Sequence, residues 1–168
     1  MVLIALALAA LEPAPPPAQS MEVEIARDAM SDQLRATATL RSTGERIVIR
    51  CRAPDWGDVH VEYHSRRWLA RGQFLTGQTP VTYRFDGQRP VRKLWHVNDR
   101  TASFDDRGRT IRFLRALMGA RRLVIRMRDI ENHRFDTIFT IGDSAAAITR
   151  LLQTCGSSRI NPRVLPRP

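Results

Sequence analysis

The strongest constraint on the fold is a period-two alternation of apolar and polar side chains that recurs along much of the chain. It is clearest over residues 33–41, where every second residue from Leu34 to Leu40 is apolar and the residues between them are arginine or threonine. Because successive side chains of a strand point to opposite faces of a sheet, this pattern is typical of a half-buried strand. The same reasoning predicts further strands over 46–52, 59–64, 81–85, 91–97, 121–128 and 135–141.

Two other segments follow the helical period instead. Their apolar stripes are Ile111, Leu114, Leu117 and Met118, and Ala145, Ile148, Leu151 and Leu152. Asp143 or Ser144 is expected to cap the second helix, and we expect a loop over 53–58 and a turn over 105–108. The sequence therefore predicts an α+β fold: an antiparallel β-sheet or sandwich of about seven or eight strands with two short helices packed on it.

The N-terminus indicates export. An unbroken apolar run from Val2 to Leu11 is too short to span a bilayer but suits the core of a secretory signal, and a Pro/Ala-rich stretch follows it to Ser20. No basic residue precedes the apolar run, so the alternatives are a start site further upstream or a segment that is not a signal. Signal cleavage is expected after Ala18 or Ser20.

These features divide the chain into three parts. Residues 1–20 are expected to be a signal peptide and linker, 21–156 a single domain, and 157–168 a flexible tail. No later segment is long and apolar enough for a transmembrane helix. We therefore expect a periplasmic or secreted protein that does not span the membrane.

The chain has two cysteines, Cys51 and Cys155, which lie 104 residues apart. An exported chain with two cysteines is expected to form one disulfide between them, although two buried free thiols are the alternative. Cys51 shares a predicted strand face with Ile47 and Ile49. A bridge from there to Cys155 would fasten the last helix onto one face of the sheet.

The net charge of +10 arises from 26 arginines and a single lysine, Lys93. Such a ratio is common in proteins from GC-rich genomes, but it also attracts anionic partners. Nucleic-acid binding needs basic residues concentrated on one surface, whereas these arginines are spread over almost every predicted element. We expect a protein partner or an anionic envelope component and no nucleic acid. A cytosolic nucleic-acid-binding protein remains the alternative if the N-terminus is not a signal.

Catalytic and metal-binding patterns are few. His60, Glu62 and His64 share a strand face, but residues four apart on a strand lie roughly 13 Å from each other, too far to share one ion. No metal or other cofactor is therefore expected. No nucleophile-elbow motif is present, and Asp105-Asp106 lies in a predicted turn. A hydrolase assembled from His60, Glu62 or His96 with distant carboxylates is the alternative function.

The motif from Tyr83 to Gly87, with Trp95 beyond it, has two interpretations. In one, Tyr83, Phe85 and Trp95 fill the core beside a tight turn. In the other, the outward-facing polar groups form a binding surface. The candidate surface residues are Arg84, Asp86, Arg126 and Arg128.

The order of these motifs resembles that of a known family. The resemblance covers residues 46–156 and is carried by Cys51, Val81-Thr82-Tyr83-Arg84-Phe85-Asp86-Gly87, Trp95, Leu123-Val124-Ile125-Arg126, Phe139 to Gly142 and Cys155-Gly156. The chain resembles the VasI-like family of periplasmic proteins associated with type VI secretion, and related exported proteobacterial and prophage domains. The family often has a tryptophan soon after the last cysteine, where this chain has Gly156-Ser157-Ser158. The resemblance implies an export signal, a pairing of the first and last cysteines, and no known catalytic residues.

Together these observations predict an exported, non-enzymatic accessory or interaction domain, linked to a secretion system or another envelope assembly. They leave its oligomeric state open.

Overall fold

The computed structural model of the chain describes residues 18–53, 55–70 and 77–155. Within them, nine strands form one antiparallel sheet in the order β1-β2-β3-β4-β7-β6-β5-β8-β9. The strands are β1 (Glu22–Arg27), β2 (Leu34–Arg41), β3 (Arg46–Arg52), β4 (Asp55–His64), β5 (Gln78–Phe85), β6 (Val91–Asn98), β7 (Thr101–Phe104), β8 (Arg122–Arg128) and β9 (Arg134–Thr140). The helices are α1 (Arg107–Gly119) and α2 (Ala145–Thr154). Most of the expected signal and the expected tail lie outside the described residues.

The α+β class, the antiparallel sheet and the two helices are confirmed, with β1 and β7 as additional strands. The expected loop over 53–58 is wrong from Asp55 onward, because β4 begins there. The expected turn over 105–108 is also wrong in its second half, because α1 begins at Arg107. There the Asp106 carboxylate accepts the Arg109 N–H at 2.7 Å, so it caps the helix. Neither helix in the described residues combines the length and hydropathy that a membrane crossing requires.

The residues that alternation places on the inward faces of the strands form the core, except that Leu34 is exposed and Phe135 is only partly buried. Leu34 is 36% exposed because it begins β2 at the end of the sheet, opposite Arg27. Val48 alternates with Ile47 and Ile49, so the period-two pattern places it on the outward face with the arginines of β3, but it is only 3% exposed. It lies in an interior strand between Thr39 and Glu62, whose side chains stand close enough to shield it.

The helices bury slightly different residues from those predicted. In α1 the buried residues are Thr110, Phe113, Leu114 and Leu117, and in α2 they are Ala147, Ile148, Leu151 and Leu152. The aromatic interpretation of the Tyr83 motif is confirmed: Tyr83, Phe85 and Trp95 are buried and contact Phe113 of α1 edge to face.

A disulfide joins Cys51 of β3 to Cys155 at the end of α2, with 6.1 Å between their Cα atoms. Both cysteines are buried, and α2 packs on β1 and β2. Of the two expected caps, Asp143 is the one whose carboxylate binds a free amide, that of Ala145 at 3.2 Å. The Ser144 hydroxyl instead donates to the carbonyl of Leu117 at 2.7 Å and ties the start of α2 to α1. The last helix is therefore fastened at both ends.

The sheet curls so that its last strand returns to strands that are not its neighbours in the ladder. The Tyr63 hydroxyl of β4 lies 2.7 Å from Thr137 Oγ1 of β9, and the Tyr63 ring packs edge to face on Phe139 with 6.4 Å between centroids. The Ser42 hydroxyl, in the β2–β3 turn, donates to the carbonyl of Ile138 at 2.6 Å. These contacts define a seam where β9 meets the β2–β3 turn.

Candidate binding groove at the seam of the sheet

A groove of about 680 Å³ follows the seam, within the range of volumes that ligand-binding sites occupy. Its walls come from β9, from the β2–β3 turn, from the segment after β4 and from β8. We call it the seam groove. Its lining residues are Gln19, Arg41, Ser42, Thr43, Glu45, Arg66, Arg67, Arg122, Phe135, Asp136, Thr137, Ile138 and Thr140.

One wall of the seam groove is the outer edge of β9. In the ladder with β8, the Ile141 N–H donates to the carbonyl of Arg121 and the Asp129 N–H donates to that of His133. Hydrogen-bonded pairs alternate along an antiparallel ladder, so the odd-numbered residues of β9 bind β8. The even-numbered residues, including Asp136 and Ile138, therefore direct their backbone N–H and C=O groups into the groove.

The edge of β9 is already paired at one end. Gln19 donates its N–H to the carbonyl of Thr140 at 3.1 Å and accepts the N–H of Gly142 at 2.9 Å. This is a single parallel β-bridge between Gln19 and Ile141. Among the described residues no further strand pairs with this edge, so the backbone groups of Asp136 remain available.

The lining of the seam groove carries four arginines and two carboxylates. One carboxylate, Glu45, is nearly buried and lies 3.9 Å from Arg66. Arg67 lies 3.5 Å from Asp129 and also stacks over the Phe135 ring, 4.9 Å from its centroid. The lining is therefore net positive.

Arg122 differs from the other groove arginines. It is exposed on β8, and no carboxylate of the described residues lies within ion-pair distance of its guanidinium. Arg41, at the end of β2, has an exposed partner, Glu22, at 3.4 Å. An exposed pair of this kind contributes about 0–1 kcal/mol, so Arg41 can leave Glu22 for a bound anion at little cost. Arg122 has no ion pair within the described residues that would have to break first.

The structure brings only part of the predicted surface together. Arg126 forms a double hydrogen bond with Asp136, both contacts at 2.7 Å, and these bonds lower the pKa of the Asp136 carboxyl. Arg84 is exposed nearby on β5 and lowers the same pKa through its charge. Arg128 donates to the backbone and side-chain oxygens of Asn132, both at 2.9 Å.

Asp86 has a structural role in the turn after β5. Its carboxylate accepts the backbone N–H groups of Arg121 and Arg122 at 3.0 and 2.8 Å. Its φ of 45° places it in the left-handed region. Asp86 therefore fixes the start of β8 and, through it, the position of Arg122 beside the groove.

The histidine-rich face of β4 forms a second cluster. Glu62 Oε1 lies 3.2 Å from His60 Nε2, and Glu62 Oε2 lies 2.7 Å from His64 Nε2. These hydrogen bonds, with the Arg50 charge adding a smaller effect, lower the pKa of the Glu62 carboxyl. His64 Nδ1 in turn lies 3.3 Å from the Thr101 hydroxyl.

His96, the other histidine considered for a hydrolase, is not joined to this cluster. Its Nε2 lies 3.2 Å from Gln78 Nε2 across the β5–β6 pair. No set of three or more His, Cys, Asp or Glu side chains in the described part of the chain is arranged to hold a metal ion.

The sequence did not single out the groove arginines. Arg41, Arg66 and Arg122 come from three segments far apart in the chain, and no spacing rule links them. The one local signal is the Arg66-Arg67 pair directly after β4, where two charges interrupt the strand pattern. No known protein family, curated protein or solved structure matches this chain.

Proposed function

We propose that this protein is an exported, periplasmic accessory domain without catalytic activity, and that it binds a protein partner of an envelope assembly through the seam groove. The observation that carries the proposal is the groove itself. It combines a net positive lining with backbone groups of β9 that face into it.

Export is supported by two features. A signal-like N-terminus precedes the domain, and a buried disulfide joins Cys51 to Cys155. Structural disulfides persist in oxidising compartments such as the periplasm. The resemblance to the VasI-like family supports a partner that belongs to a secretion system.

Site-specific photo-crosslinking in the periplasm tests this proposal. A photoreactive residue at Thr43, which is exposed on the groove rim, is expected to yield a defined cross-linked product. The same residue at Gln88, exposed in the turn after β5 and outside the groove, serves as the matched control. Equal labelling at the two positions, or labelling only at Gln88, contradicts the proposal.

A second candidate function is a hydrolase centred on β4. It is supported by the continuous contacts from the Thr101 hydroxyl through His64 to Glu62, which resemble the hydroxyl–imidazole–carboxylate order of catalytic triads. Purified protein would then hydrolyse p-nitrophenyl esters, and Glu62→Gln would abolish turnover without changing the fold. Turnover at the buffer rate for the unaltered protein rejects this alternative.

A further inference from the structure

We propose that the seam groove binds an extended, acidic segment of a protein partner, and that this segment adds to the open edge of β9 as a parallel strand. The inference rests on the proposed function, because it takes the groove to be the binding site and specifies the chemistry of what binds there.

The direction of the added strand follows from Gln19. Gln19 lies beside Ile141, donates to the carbonyl of Thr140 and accepts from Gly142, which is the pattern of a parallel pair. The edge of β9 therefore accepts an extended backbone that runs in its own direction. Strand addition to an exposed edge is a common way in which domains bind peptides.

The same geometry fixes the register of the partner. A partner residue placed beside Thr137 would donate its N–H to the carbonyl of Asp136 and accept the N–H of Ile138. The partner residue two positions earlier, which would lie beside Phe135, would accept the N–H of Asp136. The Ser42 hydroxyl already occupies the carbonyl of Ile138. We therefore expect the partner strand to pair fully only with the part of the β9 edge around Asp136.

The chain's own N-terminal segment does not suit this position. In a parallel strand continued backward from Gln19, every second residue would have to donate its N–H to β9. Those residues are Pro17, Pro15 and Pro13. Proline has no N–H to donate, so this stretch of sequence lacks the donors that the edge requires, and the proposal takes a segment of another protein as the occupant.

The positive charge of the seam groove determines which kind of partner segment it would bind. Arg122 flanks the edge from β8, and Arg66 and Arg67 approach from the segment after β4. Guanidinium groups bind carboxylates through paired, charge-assisted hydrogen bonds. No carboxylate in the described part of the chain pairs with Arg122, so a partner with glutamate or aspartate at alternate positions would supply the complementary charges.

The probe for this proposal is a short fluorescein-labelled peptide that alternates glutamate and valine, titrated into the full chain and followed by fluorescence anisotropy. A second peptide has the same sequence with N-methyl groups on alternate backbone amides, so it keeps its charge but cannot pair with β9. We expect the first peptide to bind and the second to bind at least about tenfold more weakly. Hydrogen exchange at the Ile138 amide is expected to slow only with the first.

Two variants accompany the peptides. Arg122→Gln is expected to weaken binding about tenfold, roughly the effect of losing one charge-assisted pair. Arg115→Gln removes an exposed arginine of α1 outside the groove and controls for net charge. Equal losses in the two variants would show that only bulk charge matters and would overturn the assignment to the groove.

Other results separate this inference from the proposed function. Equal binding of the two peptides, with loss in Arg122→Gln, would overturn strand addition and leave the groove as the binding site. Binding of heparin or polyphosphate in place of the peptide would overturn the choice of partner in the same way. Peptide binding without groove cross-linking in the periplasm would instead overturn the proposed function, even though the groove accepts acidic strands in vitro.

Discussion

The hydroxyl of Tyr63 lies 2.7 Å from Oγ1 of Thr137 and joins two strands, β4 and β9, that share no backbone ladder. Both residues are buried. The bond lies at the inner end of the seam, and the Tyr63 ring also packs on Phe139. This pair therefore holds β9 against the rest of the curled sheet, next to the seam groove that Thr137 lines.

Replacing Tyr63 with phenylalanine removes this bond and leaves the Thr137 hydroxyl without it. An unpaired buried polar group costs about 1–3 kcal/mol, so Tyr63→Phe is expected to lower the free energy of unfolding by that amount in urea titrations. Tyr83→Phe is the control, because the Tyr83 hydroxyl has no hydrogen-bond partner among the described residues and its side chain also lies in the core, 8% exposed against 0% for Tyr63. Equal effects in the two variants would contradict a special role for the seam.

The raised pKa of Tyr63 also leads us to expect a loss of stability at alkaline pH. Burial raises the pKa of Tyr63 to about 12, with the hydrogen bond to Thr137 opposing the rise. Because the folded pKa lies above the unfolded value of about 10, the stabilisation is complete below pH 10 and is lost as pH rises toward 12. Tyr63→Phe is expected to flatten the decline over that window. Burial raises the pKa of Tyr83 as well, so part of the decline remains.

The disulfide predicts a large change in melting temperature. A bridge that closes a loop of this size contributes about 2–5 kcal/mol, and one kcal/mol corresponds to roughly 2–4 °C in a domain of this length. Cys155→Ser is therefore expected to lower the melting temperature by about 10 °C. Reducing agent should lower the melting temperature of the unaltered protein by the same amount and leave that of the variant unchanged. An unaltered melting curve would contradict the role of the bridge in fastening α2.

Gly44, in the β2–β3 turn, links backbone conformation to the groove. Its φ is 81°, and a Cβ added there would lie 2.2 Å from Nε of Arg66. Gly44→Ala is expected to destabilise the protein by about 1–2 kcal/mol and to displace Arg66, which weakens binding of the acidic peptide. Gly87→Ala is the control, because its added Cβ meets no atom within 4 Å. If Gly44→Ala binds the peptide as tightly as the unaltered protein, Arg66 does not contribute to binding.

Local patterns in the sequence were sufficient to predict most of the sheet. Alternation predicted β3, β5 and β8 as strands, and the helical period predicted α1 and α2. The short strand β7 has only four residues, Thr101–Phe104, too few for a period to emerge. The prediction of Cys51 on the inner face followed from the same alternation and is confirmed.

Local sequence patterns could not predict the seam groove. It depends on the curl of the sheet, which brings β9 to Ser42 across 96 residues of sequence. Whether a surface arginine has an ion-pair partner likewise depends on strand register: Arg126 is directly opposite Asp136 in the β8–β9 pair and is therefore already bound. Arg122 has Thr140 opposite it in the same pair, so it remains available to a ligand.

The last prediction concerns where the mature chain begins. Sequence alone allows signal cleavage after Ala18 or after Ser20, but cleavage after Ser20 would remove Gln19 and both of its backbone bonds to the end of β9. Each bond contributes about 0.5–1.5 kcal/mol, so we expect the exported protein to begin at Gln19. Mass spectrometry of protein purified from the periplasm measures this directly. A chain that begins at Met21 and melts at the same temperature would contradict the role of Gln19, and an intact Met1 with free thiols would contradict export.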